Sequence, residues 1–312
     1  MMYFTHADID QIILEDLPLH DETTRALGLP DRPGTLTYSA RQTGVLAGLA
    51  PLLRMATALG LRAEALAADG EATAPGLAVL RLHGNAHALH VAWKQGMNLL
   101  EYLGGIATAT RQMVDAARVG NPRIQVAGTR KAHPGARRLQ QYAVMCGGGM
   151  VHRAGLSETI LIFAQHRAFL PGLDAAALVA RAKAHSPEKF VLIEAESEVD
   201  ALNAARAGAD GVQLDKMNAA QLAALVPQLR ALQPRLTINA AGGIRPDNAA
   251  EFAASGIDIL VTSSLYNARA ADFSAQMTAV RDVPPSSVRS DGDGRLEYRC
   301  GPRDRAILRR PS

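Results

Sequence analysis

Four side chains that suit anions stand in two short motifs of this sequence. Arg130 and Lys131 lie in the run Gly-Thr-Arg-Lys-Ala-His-Pro-Gly that begins at residue 128, and His152 and Arg153 follow soon after three consecutive glycines. Arginine offers a planar fork that matches a carboxylate or phosphate, and lysine offers a compact positive charge. Both motifs are therefore interpreted as parts of one basic site for a phosphorylated, anionic substrate. Solvated polar loops are the alternative.

A second set of candidates is acidic. Glu194 and Glu196 alternate along a predicted strand, which puts their side chains on the same face, and Asp215 ends the next predicted strand. Carboxylates that face a barrel interior are costly unless they meet cations. Near Lys131 they could hold Mg²⁺ while they orient substrate hydroxyls. Structural salt bridges inside the barrel are the alternative.

Two turns have the composition of a phosphate subsite. Gly242 and Gly243 end the run Asn-Ala-Ala-Gly-Gly after one predicted strand, and Thr262 and Ser263 follow the next. Glycine-rich turns and hydroxyls at the last strands of a β/α barrel often bind phosphate through backbone N–H groups. The same residues would also suit ordinary tight turns between strands and helices.

The elements that must position these residues alternate in type from about residue 122. Strands are predicted at 124–127, 159–163, 190–195, 211–214, 236–239 and 257–262, and helices at 175–184, 199–207, 219–232 and 246–255. This alternation predicts parallel strands in βα units, and six units favour a barrel or partial barrel over a doubly wound sheet. Ligands of such folds bind beyond the carboxyl ends of the strands, where the Arg-Lys motif lies. No strand is followed by G-x-G-x-x-G, which weakens a dinucleotide interpretation.

The first hundred residues have a mixed pattern. Helices are predicted at 5–14, 44–61 and 97–117, and strands at 36–40, 78–83 and 86–92, the last two forming a hairpin around Gly84-Asn85. His83, His87 and His90 resemble a metal cluster at first sight. The hairpin would put His87 and His90 on opposite faces, so a metal site is not favoured.

Composition excludes several classes of protein. The 312 residues carry 33 Lys and Arg against 30 Asp and Glu, and a net charge of +3 without interleaved aromatics does not indicate nucleic-acid binding. The two cysteines have no C-x-x-C spacing. No apolar run approaches the length of a membrane span, and the acidic first 19 residues do not suit a signal peptide. We expect a cytoplasmic protein with a flexible basic tail at 283–312.

The order of these motifs resembles the quinolinate (nicotinate-nucleotide, carboxylating) phosphoribosyltransferase family across residues 8–280. The matching pieces are Glu15-Asp16 with Asp21-Glu-Thr-Thr24, Gly44-Val-Leu-Ala-Gly48, Asn98 with Gly105-Ile-Ala-Thr108, Thr129-Arg-Lys131 with Pro134-Gly135, Gly147-Gly-Gly149 with His152-Arg153-Ala-Gly-Leu156, Glu194-Ala-Glu196, Leu214-Asp215 and Gly242-Gly-Ile244. Several of these pieces are specific in combination, and their order is kept.

The resemblance implies an α/β fold with two parts and a dimeric enzyme. An N-terminal α/β sandwich would span 1–112, completed by residues near 270–282, and an open α/β barrel would span 113–280. One subunit's sandwich would cover the other's barrel in a homodimer. The family transfers phosphoribose from phosphoribosyl pyrophosphate to quinolinate, with Mg²⁺, and releases pyrophosphate and carbon dioxide. Quinolinate or a related aromatic acid is the implied acceptor.

The resemblance also implies roles for individual residues. Arg130, His152 and Arg153 would hold the acid. The ribose, pyrophosphate and metal would be handled by four residues, with Glu196 and Asp215 as metal ligands: Lys131, Glu194, Glu196 and Asp215. The 5′-phosphate would contact Gly242, Gly243, Thr262 and Ser263.

Two departures from the family concern the acceptor. Lys94 follows Trp93 where the family has Glu-Arg, and Phe163 replaces a lysine that contacts quinolinate. An unpaired substrate carboxylate would cost about 1–3 kcal/mol. The runs 163–167 and 261–264 resemble the ModD branch, which is associated with molybdate transport. That resemblance implies a retained phosphoribosyl site and a changed acceptor pocket. The alternative is an anion-binding accessory protein of molybdenum transport without quinolinate activity.

Overall fold

Two large sheets of different kinds and one two-stranded sheet organise the chain in a computed structural model, which describes residues 2–280. The strands are β1 (Pro33–Ala40), β2 (Gly44–Val45), β3 (Arg62–Ala65), β4 (Ala72–Thr73), β5 (Ala78–Asn85), β6 (Gln125–Gly128), β7 (Met150–Val151), β8 (Ile160–Ile162), β9 (Val191–Ala195), β10 (Gly211–Asp215), β11 (Thr237–Ala241), β12 (Ile259–Thr262) and β13 (Phe273–Ala279). The helices are α1 (His6–Asp16), α2 (Glu22–Ala26), α3 (Leu49–Ala58), α4 (Ala86–Gly120), α5 (Arg137–Cys146), α6 (Ala164–Arg167), α7 (Ala175–His185), α8 (Glu198–Arg206), α9 (Ala219–Leu232) and α10 (Ala249–Ala254).

The first sheet is antiparallel, in the order β13-β1-β5-β3. Alternate residues of β1 are buried, as a half-buried strand requires. The hydroxyl of the buried Tyr38 donates to the carbonyl oxygen of Ala92 at 2.8 Å, which ties the sheet to α4. The last described strand, β13, pairs with β1 from Gly34 to Ala40, so the chain returns to its first sheet.

The second sheet has seven parallel strands in the order β7-β6-β12-β11-β10-β9-β8. Among the described residues, no sheet hydrogen bonds join β7 to β8. The barrel is therefore open between these two edge strands. Arg153 Nη2 donates to the Thr159 carbonyl oxygen at 3.1 Å, close to both edges. The predicted α/β fold, with an N-terminal layered unit and an open parallel barrel, is confirmed.

The 35-residue helix α4 connects the two sheets. Its buried face carries leucines and small residues, and it packs against β1, β13, α5 and α10. Gly105 permits a close approach, because a Cβ there would lie 2.2 Å from the carbonyl oxygen of Arg269. The helix continues through residues 112 and 113, where a domain boundary is predicted. That boundary stays a prediction.

The predicted hairpin at 78–92 is wrong in its second half. β5 ends at Asn85, and residues 86–92 form the first turns of α4. The helix starts here because Asp31 accepts a hydrogen bond from the backbone N–H of His87 at 3.0 Å, and Leu89 and Ala92 then face the core three residues apart. The predicted helix at 44–61 is also shorter, since it begins only at Leu49.

The helices of the described chain include none that is both long and apolar enough to cross a membrane. The predicted tail at 283–312 lies outside the described residues.

Candidate active site

A cavity of about 630 Å³ opens at the carboxyl ends of the barrel strands. It brings together most of the residues that the sequence singled out, namely Arg130, Lys131, His152, Arg153, Phe163, Glu194, Asp215, Gly242, Gly243, Thr262 and Ser263. Residues separated by more than a hundred positions therefore share one site, as parallel strands allow. Two predicted site residues, Lys94 and Glu196, are not part of its lining.

Two hydrogen bonds fix the backbone of the basic loop that follows β6. The Tyr266 hydroxyl donates to the carbonyl oxygen of Thr129 at 2.9 Å, and the Lys131 N–H donates to the Thr129 hydroxyl at 3.0 Å. Gly128 is required for this arrangement, because a Cβ there would lie 2.5 Å from the Tyr266 hydroxyl. Arg130 and Lys131 therefore meet the cavity from a fixed backbone.

His152 and Arg153 form the buried part of the basic wall. Arg153 is 6% exposed, and burial followed by the nearby Arg130 lowers the pKa of its guanidinium. Burial and Arg153 also lower the pKa of His152 from its ordinary value of 6.5. Burial and Arg153 thus disfavour a charge on the imidazole of His152, and the positive charge beside it comes from the two arginines. Crowded, desolvated cations of this kind gain from a bound anion.

Three glycines at 147–149 form the turn between α5 and β7. A Cβ on Gly147 would lie 2.4 Å from the carbonyl oxygen of Ala107, and one on Gly149 would lie 2.8 Å from Thr110 Cγ2. Two of the three glycines therefore allow the turn to pack against α4.

The acidic wall consists of Glu194 on β9 and Asp215 at the end of β10. Gln213 Nε2 donates to Glu194 Oε1 at 3.0 Å, and Lys216 Nζ lies 3.5 Å from Asp215 Oδ2. Burial raises the pKa of Glu194, and the neighbouring Asp215 and Glu196 raise it further. This wall therefore favours a positive charge in front of it.

Glu196 does not share a strand face with Glu194, so that prediction is wrong. β9 ends at Ala195, and Glu196 lies in the turn that leads into α8. There it lines an adjoining hollow together with Asp215 and Lys216. The strand ends one residue earlier than alternation requires, because the Ser197 side chain already caps α8 by accepting from the Asp200 N–H.

The acidic wall supplies too few ligands to hold a cation alone, so a bound substrate must supply the others. Within residues 2–280, no three His, Cys, Asp or Glu side chains are arranged to hold a metal ion. Mg²⁺ in phosphate chemistry usually keeps several waters and takes one or two carboxylates plus phosphate oxygens. Asp215, with Glu194 or Glu196 close by, meets that requirement, so these residues suit a Mg²⁺ that arrives with a phosphorylated substrate.

The glycine turn after β11 is shaped for close approach. Gly242 and Gly243 have φ values of +92° and +69°, which favour glycine. A Cβ on Gly243 would meet nothing within 4 Å. The Asn248 amide donates to the Gly243 carbonyl oxygen at 3.0 Å and fixes the turn, and Thr262 Oγ1 accepts from the Ser264 N–H at 3.2 Å beside it. The turn and the hydroxyls together can receive a phosphate group.

Phe163 gives the cavity an apolar wall with Leu161. Its ring stacks on His166 with centroids 5.8 Å apart, and its N–H donates to His166 Nδ1 at 3.0 Å. Lys94 lies outside this cavity on α4, where its Nζ is 4.8 Å from the centroid of the Trp93 ring.

The sequence interpretation missed four polar residues of the lining, Gln213, Lys216, Arg245 and Asn267. Gln213 could have been found, because it precedes Asp215 by two positions on one strand and so faces the same side. Lys216 is the one non-glycine residue of the described chain with a positive φ, 59°. No sequence signal marked that conformation.

The three histidines of the first sheet region bind other groups. His83 contacts Thr35 and Glu64, the His87 ring contacts the Leu29 carbonyl oxygen, and His90 contacts that of Ala86. On α4, His87 and His90 lie three residues apart rather than on opposite faces of a strand.

Comparison with known families identifies both parts of the chain. The family described as quinolinate phosphoribosyl transferase, C-terminal domain, matches residues 106–276, and the corresponding N-terminal domain matches residues 21–104.

Individual relatives agree with the family match. The ModD protein of Escherichia coli O6:H1 is 36% identical over 284 residues, covering 91% of this chain and 100% of the relative. The nicotinate-nucleotide pyrophosphorylase (carboxylating) of Rattus norvegicus is 33% identical, covering 82% and 86%. The crystal structure of NadC from Streptococcus pyogenes superposes with a TM-score of 0.80 at 31% identity, covering 90% and 100%. The chain belongs to the quinolinate phosphoribosyltransferase family and is a phosphoribosyltransferase.

Proposed function

We propose that this member of the quinolinate phosphoribosyltransferase family transfers phosphoribose from phosphoribosyl pyrophosphate to an aromatic acid and releases pyrophosphate. Quinolinate or a related acid is the proposed acceptor. The observation that carries the proposal is the single cavity in which Arg130, Lys131 and Arg153 stand with Glu194 and Asp215. A substrate that is anionic at both ends and develops positive charge in its middle matches such a set.

The residue types suit the transfer. As the bond between the anomeric carbon and the pyrophosphate oxygen breaks, positive charge develops on the ribose and negative charge on the leaving group. Glu194 and Asp215 stabilise the first charge, and Lys131 stabilises the second. Arg130 and Arg153 hold the acid so that its ring nitrogen can attack the anomeric carbon. With quinolinate, alkylation of that nitrogen makes loss of the adjacent carboxylate easier, because the carbanion forms beside a positive nitrogen.

Mg²⁺ is the proposed cofactor, since the donors of the acidic wall are hard oxygens. When bound, it supplies positive charge to the pyrophosphate oxygens. Asp215 and Glu196 are its proposed ligands, and Lys216 Nζ, 3.5 Å from Asp215 Oδ2, limits the repulsion between these carboxylates.

A homodimer with shared active sites is also proposed. Lys94 lies outside its own cavity, so it could serve a neighbouring subunit's site instead. A groove of about 730 Å³ between α1 and α4 shares Asn267 with the active-site cavity and includes the exposed Tyr102. Sedimentation should give a dimer, and mixing Lys94→Ala with Lys131→Ala subunits should restore activity above either variant alone. A monomer that remains fully active would contradict this proposal.

The test of the transfer uses the full chain with phosphoribosyl pyrophosphate, Mg²⁺ and quinolinate, followed by chromatography of the mononucleotide. Lys131→Ala should lower kcat/KM about 100-fold or more, as losses of a single electrostatic group at a reacting centre do. Arg235→Ala is the matched control, because Arg235 is exposed at the opposite end of the barrel. No product with quinolinate or with other pyridine, pyrimidine and pterin acids would overturn the proposal.

A second candidate is an anion-binding accessory protein of molybdenum transport. It is favoured by the buried Arg153, whose Nε has no hydrogen-bond partner within residues 2–280, and by the ModD name of relatives. Calorimetry separates the candidates. Binding of phosphoribosyl pyrophosphate that is lost in Lys131→Ala supports the transferase, whereas tight binding of molybdate alone supports the accessory role.

A further inference from the structure

Lys216 has a backbone conformation that its residue type does not favour. It follows β10 in the turn that leads into α9, and its φ of +59° is the one positive value among the non-glycine residues of 2–280. A lysine at such a φ costs free energy that the surrounding structure must offset, and residues of this kind concentrate where ligands bind. Glycine or asparagine would take the same conformation more easily. The strain therefore points to a function of the lysine side chain.

The neighbours of Lys216 fix this conformation. The Lys216 N–H donates to the carbonyl oxygen of Ala241 at 2.8 Å, so the chain stays beside β11 for one residue after β10 ends. Gly242 packs directly on Lys216, because a Cβ on Gly242 would lie 3.0 Å from both the backbone nitrogen and Cγ of the lysine. The stem of the lysine thus lies against the glycine turn that can receive a phosphate group.

The ammonium group of Lys216 is accessible to a ligand. The side chain is 81% exposed, and it lines both the active-site cavity and the adjoining hollow that contains Glu196. Its Nζ lies 3.5 Å from Oδ2 of Asp215, whose side chain is 19% exposed. An exposed lysine on a flexible stem loses little when it leaves such a partner. It can therefore exchange Asp215 for another anion in the same cavity.

The position of Lys216 on the barrel complements that of Lys131. Because β11 and β12 separate β10 from β6, the glycine turn after β11 and the hydroxyls after β12 lie between the two lysines. Three strand spacings along the sheet amount to about 14 Å. Phosphoribosyl pyrophosphate also carries phosphates at two ends, with the ribose between them. Arg245 lines the cavity beside the same turn, but Asp247 pairs with it at 3.2 Å.

We infer that Lys216 is a substrate-binding residue that exchanges partners: its ammonium group pairs with Asp215 in the free protein and turns to the 5′-phosphate when phosphoribosyl pyrophosphate binds. The exchange makes Asp215 available to the ribose and to Mg²⁺ only once the phosphate is in place. The inference rests on the proposed phosphoribosyl transfer and adds a residue to its substrate site.

The two halves of the substrate test the position of Lys216. Ribose 5-phosphate and pyrophosphate are titrated separately into the full-length protein by calorimetry, without Mg²⁺. Lys216→Gly takes the positive φ without strain and removes the ammonium group, so it should weaken ribose 5-phosphate binding about tenfold and leave pyrophosphate binding within about twofold. Lys131→Ala should do the reverse. Lys189→Ala, at the exposed residue before β9, is the matched control and should change neither affinity.

Two further readouts separate binding from a structural role. Lys216→Gly should leave Tm equal or higher, because it relieves the strain at the positive φ. Lys216→Arg should keep the affinity for ribose 5-phosphate within about threefold, because it keeps the charge. A fall in Tm together with equal losses for both ligands would mean that Lys216 only maintains the fold, and would overturn the inference.

The exchange of partners is tested with Mg²⁺ alone. In wild type the ammonium group competes with the metal for Asp215, so Mg²⁺ should bind the substrate-free protein weakly. Lys216→Gly should tighten this binding about twofold to fivefold, the factor that an exposed ion pair supplies, although it weakens the binding of ribose 5-phosphate. Equal Mg²⁺ affinity in wild type and Lys216→Gly would overturn the exchange.

These outcomes are distinct from those that test the proposed function. If ribose 5-phosphate binds wild type and Lys216→Gly equally, or does not bind wild type, the inference fails, while formation of a mononucleotide would still support the transferase. If no acid yields a mononucleotide, the proposed function fails. The affinities for ribose 5-phosphate then still decide whether Lys216 binds a phosphate at the glycine turn.

Discussion

The antiparallel sheet region and the barrel differ in how they treat buried polar atoms. Within residues 2–280, every buried side-chain nitrogen or oxygen that lacks a hydrogen-bond partner belongs to the barrel, namely Arg153 Nε, Thr159 Oγ1, Arg167 Nε, Gln213 Oε1, Gln233 Oε1 and Asn239 Oδ1. Residues 2–112 contribute none to this set. There, even the fully buried Tyr38 hydroxyl has a partner in Ala92.

This difference separates stability from binding. In the first region every buried side-chain nitrogen or oxygen of the described residues has a hydrogen-bond partner, as residues that serve the fold require. Two of the six unpartnered atoms, Arg153 Nε and Gln213 Oε1, belong to residues that line the cavity, where His152 and Glu194 also have shifted pKa values. Active sites commonly hold electrostatically perturbed groups of this kind.

The largest expected effect tests the claim that residues of the antiparallel sheet stabilise the fold without taking part in activity. Leu36 is fully buried in β1, so Leu36→Ala should lower the free energy of unfolding by about 2–5 kcal/mol. The kcat/KM of the protein that remains folded should not change. Denaturant titration measures the first quantity, and Leu27→Ala, at an exposed leucine, should stay within about 0.5 kcal/mol of wild type. A loss of kcat/KM in folded Leu36→Ala would break the comparison.

The next effect tests the claim that residues of the barrel cavity serve activity rather than stability. Glu194→Gln should lower kcat about 100- to 1,000-fold, because a neutral amide cannot stabilise the positive ribose. The free energy of unfolding at pH 7 should stay equal or rise, since burial and the neighbouring Asp215 already penalise the charged form of Glu194. Glu188→Gln, in the exposed segment before β9, is the matched control for both measurements.

The same variant predicts a pH dependence with a definite sign. The pKa of Glu194 is raised above 4.5 in the fold, so the folded protein holds a proton that the unfolded chain releases. This contribution to stability is present below pH 4.5 and is lost as the pH rises through the folded pKa. Unfolding of wild type and Glu194→Gln across that window should therefore differ most at its upper end. A difference of the opposite sign would contradict the proposed cause.

A smaller effect returns to the first region. Tyr38→Phe removes one buried hydrogen bond to the Ala92 carbonyl oxygen and should lower the free energy of unfolding by about 0.5–1.5 kcal/mol. Activity should be unchanged. Tyr102→Phe is the control on the exposed face of α4. If Tyr38→Phe altered kcat/KM with the acid but left stability intact, the separation between the two regions would fail.

The smallest effect concerns His152. Its folded pKa lies below 6.5, so the unfolded chain binds more protons in the window just below pH 6.5, and stability is lost as the pH falls through it. His152→Gln should flatten that slope in unfolding curves, whereas His185→Gln, at an exposed histidine, should leave it unchanged. An unchanged slope in His152→Gln would assign the pH dependence to other groups.

The same comparison explains what the sequence could predict. The barrel strands were found because each is a short apolar run closed by a turn, and residues after such runs must meet at one end of a parallel sheet. The start of α4 was missed because Asp31, 56 positions before His87 in the chain, caps it. Glu196 was misplaced because the Ser197 cap ends β9 early. Both errors arise from contacts that local periodicity does not contain.

The unpartnered oxygens of Gln213 and Asn239 could not be predicted either. Their state depends on which neighbours the register selects, and Glu194 and His152 take only the amide nitrogens. Sequence patterns identified the basic and acidic walls by residue type. The row of Glu194, Gln213 and Asn239 emerges only from the pairing of three strands.

The most direct test of the central claim is a crystal structure of the full chain with phosphoribosyl pyrophosphate and Mg²⁺. The 5′-phosphate should lie against Gly242 and Gly243, and the pyrophosphate should lie within hydrogen-bond distance of Lys131. The ribose hydroxyls should face Asp215. Phosphoribosyl pyrophosphate bound instead in the groove between α1 and α4, or with its phosphates against Phe163, would contradict the assignment of this cavity as the phosphoribosyl-transfer site.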